Sequence, residues 1–157
     1  MTLNFGKFFY SFILVFATAW ITKYLVHLGL FSFYDLLEKP VITPQKDYFT
    51  YIWNIIYVLL TLGFYIAIVS EQSDEQYYDL NSLFIMQLFL QILWTFCFFY
   101  INQLSASCLV IILLDIVAAL FMHTLFFINV WAFFLILPYF LWLLFATFLN
   151  VYIVFLN

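Results

Sequence analysis

Apolar positions in this chain come in long runs rather than in the alternating or short-period patterns of soluble domains. A hydrocarbon core about 30 Å thick takes roughly 20 helical residues to cross, and five runs of about that length stand between polar breaks, at residues 8–30, 48–70, 80–101, 104–127 and 130–155. The last two breaks are thin, Asn102-Gln103 and Ile128-Asn129. Two connections are plainly polar. Residues 33–47 carry Pro40 and Pro44, and residues 71–79 are acidic. A β-barrel would need strands of about ten residues with alternating polarity and many turns, whereas this chain has only three glycines and three prolines. The pattern predicts an all-α integral membrane protein, a bundle of five transmembrane helices forming a single domain over residues 1–157.

Composition agrees, with 69% hydrophobic and 8% charged residues against about 25% charged in soluble domains. Lys7 ahead of an apolar run resembles the start of a signal peptide, but the run is too long and lacks a small-residue cleavage site. It reads as a retained first span. Lys39 and Lys46 lie on the side opposite the N-terminus, with Lys7 against them, so the positive-inside rule places the first loop and the C-terminus in the cytoplasm. Four lysines, no arginine and eight acidic residues exclude nucleic acid as a partner. Cys97 and Cys108, both in apolar stretches, suit neither a disulfide framework nor a zinc site.

Polar groups at membrane depth are costly and commonly mark a site. Trp20, Lys23, Tyr24 and His27 cluster in the first span; Trp53, Tyr57 and Thr61 form a stripe in the second; Gln87, Gln91, Trp94 and Phe98 share a face of the third; Tyr139, Trp142, Ala146 and Asn150 align in the fifth. An alternative reading makes the aromatics interfacial belts and the amides helix-to-helix glue. In the fourth span Asp115 must be protonated or partnered. His123 is about 12 Å further along by helix rise, which leaves a proton-linked pair and a buried structural hydrogen bond as competing accounts. No metal centre, nucleophile-and-base pair or phosphate-binding glycine loop is present, and no cofactor is expected. An aromatic-lined cavity for a small molecule is the remaining possibility.

Several stretches resemble the TspO/MBR family, the tryptophan-rich sensory or translocator proteins, also called peripheral-type benzodiazepine receptors. The first loop, with Tyr34, Leu37, Lys39, Pro40 and Pro44, is similar to the family's W-Y-x-x-L-x-K-P-x-W-x-P-P; Trp53 and Tyr57 match W-x-x-x-Y; Gln91, Trp94, Phe98 and Phe99 match N-x-x-W-S-x-x-F-F with Gln for Asn. Pro138, Tyr139, Trp142, Phe145, Ala146, Thr147, Leu149 and Asn150 reproduce P-Y-x-x-W-x-x-F-A-T-x-L-N at every fixed position. The resemblance implies a ligand cavity opening toward the first loop, which covers it as a lid, and ligands of the porphyrin and haem type or flat benzodiazepine-type drugs. It implies ligand contacts from Tyr34, Pro40, Trp53, Tyr57, Gln91, Trp94, Trp142, Phe145, Ala146 and Asn150. Some bacterial members are assigned a light- and oxygen-dependent breakdown of protoporphyrin, which would make Trp53 and Trp142 catalytic. Transport linked to Asp115 and His123, and a purely scaffolding role, are the other expectations. Ile42 and Gln45 replace the lid tryptophan and second proline of the family, so an aromatic lid contact is missing. No Lys or Arg follows Asn150, so the proposed sterol motif of the tail is incomplete. A homodimer is compatible with the family, but the third span has no glycine for a G-x-x-x-G face, and another surface would have to serve.

Overall fold

The computed structural model describes residues 4–29 and 31–157, the side chains of Phe31 and Ser32 excepted. The elements are α1 (Phe5–Leu28), a short α2 (Phe31–Leu36), α3 (Lys46–Val69), α4 (Asp74–Thr95) continued by a π-helical turn (Phe96–Tyr100), α5 (Leu104–Ile128) and α6 (Val130–Leu156). Among the described residues there is no strand. Five helical segments of 24 to 27 residues are long and apolar enough to cross a membrane. The protein is a five-helix, multi-pass integral membrane protein.

The helix ends follow from local chemistry. Ser73 forms a capping box with Gln76: its hydroxyl accepts from the Gln76 N–H at 3.2 Å, and its own N–H donates to Gln76 Oε1 at 3.0 Å. That cap draws Asp74 to Asp79 into the helix, although their polarity reads as loop; acidic residues suit the positive end of a helix dipole. Asn129 accounts for the thin break between the last two spans. It ends α5 and caps α6, its Oδ1 accepting from the N–H groups of Trp131 at 2.9 Å and Ala132 at 3.1 Å. At the other thin break Asn102 takes a left-handed backbone, φ 58°, which asparagine tolerates better than most residues. The Gln103 N–H then closes onto the Cys97 carbonyl at 2.8 Å.

The centre of the bundle is apolar and aromatic. Phe64 of α3 stacks on Phe84 of α4, centroids 3.6 Å apart, and Phe84 meets Phe121 of α5 at 5.5 Å. Helix α1 is the most peripheral span and buries only small or β-branched residues, Ser11, Val15, Thr18 and Thr22. Their hydroxyls return to their own helix, Ser11 to the Lys7 carbonyl at 3.0 Å and Thr18 to Leu14 at 2.9 Å. Small residues let helices approach in lipid, where packing rather than exclusion from water holds them together.

Two glycines mark the closest approaches. A Cβ on Gly63 would lie 2.5 Å from Ile136 Cγ1, which pins α3 to α6. A Cβ on Gly29 would lie 1.8 Å from the Phe99 carbonyl oxygen, where α1 ends against the π turn. Backbone cannot yield as a side chain can, so Gly29→Ala is expected to destabilise the fold by about 3 kcal/mol or more. Gly63→Ala should cost less, because Ile136 can change rotamer. Thermal unfolding of both variants in detergent measures the order.

Candidate functional site

Three constellations gather the residues singled out along the spans. The first is an aromatic wall shared by α3 and α6. Trp53 is buried, its ring 5.7 Å from Tyr57 and 6.4 Å from Phe49. Phe49 in turn lies 5.4 Å from Trp142, and Trp142 lies 5.3 Å from Phe145. The two tryptophans therefore sit on either side of one phenylalanine. Beside them runs a cleft of about 550 Å³ lined by Ile52, Ile55, Ile56, Leu59, Pro138, Leu141, Trp142 and Phe145. It is open at the side, between α3 and α6, where the family resemblance implies a cavity opening toward the loop. The indole Nε1 of Trp142 is buried and has no hydrogen-bond partner among the described residues.

The second constellation is polar and interior. The Tyr57 hydroxyl accepts from Gln91 Nε2 at 2.9 Å and shares a 3.1 Å hydrogen bond with Thr22 of α1. Among the described residues, Gln91 Oε1, both amide atoms of Gln87 and the Tyr139 hydroxyl are buried without a partner. Native interiors seldom leave such groups unsatisfied, so this band is suited to a polar guest or to water. Thr61, on the same stripe as Tyr57, returns its hydroxyl to the Tyr57 carbonyl at 2.8 Å.

The third joins α4, α5 and α6. Trp94 donates its indole N–H to Asn150 Oδ1 at 2.8 Å, and Ser107 donates to the same oxygen at 3.1 Å. Trp94 also packs against Phe98 and Phe99, at 6.0 and 6.1 Å. Trp94 and Asn150 thus hold helices together, and Trp94 does not join the wall built by Trp53 and Trp142. Ala146, buried one turn before Asn150, is part of the same packed face.

The first loop lies across this end as a strap. Tyr34 packs on Phe98 and Phe99 at 6.2 and 5.9 Å. Lys39 caps the short helix through the Tyr34 and Leu37 carbonyls, at 2.6 and 2.8 Å. Burial first, and the adjacent Asp35 carboxylate second, hold the Tyr34 phenol above its ordinary value. Pro40 is remote from the aromatic wall. It lines a separate groove of about 620 Å³ between the strap and Phe148, Tyr152 and Leu156 of α6.

Other sequence expectations separate in space. Asp115 accepts from the Thr147 hydroxyl at 2.8 Å, joining α5 to α6, whereas His123 is exposed with only a ring contact to Phe127. The structure does not bring the two together. Trp20 and Tyr24 stack on each other at 5.8 Å, both exposed, as an outward-facing pair. Among the described residues no group of three metal-ligating side chains occurs. Phe49, Ser107 and Thr22 were not evident in the sequence as participants. Phe49 lies one helical turn before Trp53, a legible signal; Thr22 and Ser107 act across helices and carry none.

Five apolar helices long enough to cross a bilayer define the class, a helical multi-pass membrane protein. A model of the TspO/MBR family matches residues 11–156, and the chain belongs to that family. It is 33% identical to the tryptophan-rich protein TspO of Archaeoglobus fulgidus over 126 residues, 80% of each chain. It is 29% identical to the tryptophan-rich sensory protein of Cereibacter sphaeroides, covering 76% of this chain and 73% of that one. With the tryptophan-rich protein TspO of Bacillus cereus the identity is 30%, over 76% of each.

The polar knot has a measurable consequence. Trp94→Phe removes the stronger donor to Asn150 and leaves a buried carbonyl served by Ser107 alone, at an expected cost of about 1–2 kcal/mol. Unfolding of this variant beside Trp20→Phe, which alters an exposed ring, separates the knot from a general effect of losing an indole.

Proposed function

We propose that the protein binds porphyrin- and haem-like tetrapyrroles and related flat hydrophobic molecules, benzodiazepine-type compounds among them, against the wall formed by Trp53, Phe49 and Trp142. The observation that carries this reading is the apolar cleft of about 550 Å³ lined by Trp142 and Phe145, with Trp142 joined through Phe49 to Trp53 by ring contacts. A planar ring system supplies the area that aromatic faces can stack on, and stacking adds about 0.5–1.5 kcal/mol per ring pair beyond burial. Gln91 and Tyr57 stand behind Trp53 to orient polar substituents, while Trp94 and Asn150 contribute by fixing α4, α5 and α6. Tyr34 and Pro40 belong to the covering strap. Lys39 and Lys46 on the strap side, against Lys7 at the opposite end, support a cytoplasmic position for that face by the positive-inside rule.

A second reading follows from Trp53 and Trp142 flanking the same ring. An excited porphyrin, or oxygen activated by it, would find two oxidisable indoles at one site, and the protein would then degrade its ligand in light.

Protoporphyrin titrated into the purified protein should quench tryptophan emission saturably, and Trp142→Phe should weaken binding by about threefold to tenfold, the loss of part of a stacking face. Saturable quenching that is identical in Trp142→Phe would remove Trp142 from the site. Illumination of the complex tests the second reading: bleaching of porphyrin no faster than with the Trp53→Phe, Trp142→Phe variant leaves a binding protein without catalysis.

A further inference from the structure

The cleft and the strap together determine how a ligand would reach the wall. Helices α3 and α6 touch at Gly63 and Ile136, where no room remains for a Cβ. On the strap side of that contact lies the cleft. Two residues beyond Ile136 stands Pro138, inside α6, which has no N–H for the Phe134 carbonyl and whose ring interrupts the helical ladder. From there the cleft runs between Ile52, Ile55, Ile56 and Leu59 on one helix and Pro138, Leu141, Trp142 and Phe145 on the other. Counted from the strap-side ends of α3 and α6, these residues lie roughly 10 to 25 Å into the span, at the depth of acyl chains. The mouth is apolar and outward: Ile55 is 46% and Leu141 57% exposed.

The aqueous end is closed by contrast. The Asn157 side chain clasps the strap backbone, its Oδ1 accepting from the Glu38 N–H at 3.0 Å and its Nδ2 donating to the Glu38 carbonyl at 3.0 Å. Lys46 pairs with Asp35 at 2.7 Å. Leu37 is buried beneath the strap, and Tyr34 rests on the π turn. A polar entrance under the strap would have to break all of these; the lateral one breaks none.

We propose that the ligand enters and leaves sideways, from the hydrocarbon of the bilayer through the α3–α6 cleft, with the strap remaining latched. This rests on the proposed site at Trp142 and deepens it. The route selects for molecules that partition into lipid and can present an uncharged, flat edge to the gap; a charged group would be carried at the trailing edge, nearer the headgroups. The close approach of Gly63 and Ile136 bounds the cleft on the side away from the strap.

The test uses the full chain in nanodiscs and protoporphyrin IX, whose own fluorescence reports exchange. Leu141→Trp and Ile55→Trp, made separately, fill the mouth from opposite helices without altering the wall. Glu38→Cys with Asn157→Cys, joined by a short bis-thiol reagent in a chain lacking Cys97 and Cys108, locks the strap. Filled mouths should slow association by about tenfold or more, read from the association rate itself because both residues line the cleft and can alter affinity as well. The locked strap should exchange at the parental rate. Normal exchange through a filled mouth together with slow exchange under a locked strap would overturn the lateral route while leaving binding intact. Failure of the parent to bind saturably would remove the site and its route together. A measurement without ligand stands independently: brominated acyl chains should quench the part of the emission that Trp142→Phe deletes, and an unquenched Trp142 would refute an opening to the hydrocarbon.

Discussion

A bilayer interior offers no hydrogen bonds, and every polar group carried into it must be satisfied by the protein itself. That constraint forces the backbone into helices and then governs the side chains. The hydroxyls of Ser11, Thr18, Thr22 and Thr61 fold back on carbonyls of their own helices. Trp94 and Ser107 both donate to Asn150 Oδ1 across three helices, and one oxygen of Asp115 takes the Thr147 hydroxyl. Because lipid competes on equal terms for apolar surface, these polar contacts and the close approaches at Gly29 and Gly63 specify which helices meet and where.

Against that background the groups left without partners become informative. Among the described residues, Trp142 Nε1, Gln91 Oε1, the Gln87 amide and the Tyr139 hydroxyl are buried and unmatched, and so are Gln72 Oε1, Asn102 Oδ1, Asp115 Oδ1 and Asn150 Nδ2. Such groups are spread along the bundle and mark where the protein itself leaves donors and acceptors unpaired.

Wall, knot and strap divide the labour of the conserved-looking motifs differently from what their shared composition suggests. Tryptophan serves three purposes in one short chain. Trp142 presents a face to a cleft, Trp94 ties helices through its N–H, and Trp20 stacks outward with Tyr24. The TspO/MBR family resemblance groups Trp53, Trp94 and Trp142 in one list, but only Trp53 and Trp142 share a neighbour in Phe49. The strap likewise divides, with Tyr34 over the π turn and Pro40 over a separate groove against α6.

The length and polarity of the runs determined the number of spans, their helical nature and their ends to within a few residues, because the thickness of the bilayer sets a ruler that the backbone must match. The ruler misjudged residues 74–79, where the Ser73–Gln76 cap outweighs polarity, and could not foresee α2, too short to leave a periodic signal. Stripes such as Trp53 with Tyr57, and Trp142 with Phe145, were equally legible, since helical periodicity fixes which residues of one span share a face. What faces what across helices was not. Whether Trp94 meets a ligand or Asn150, whether Asp115 meets His123 or Thr147, and on which side the cleft opens depend on the rotation and crossing of helices. Those are set by contacts between residues far apart in the chain, Gly63 with Ile136 and Gly29 with Phe99, and no spacing within one span encodes them.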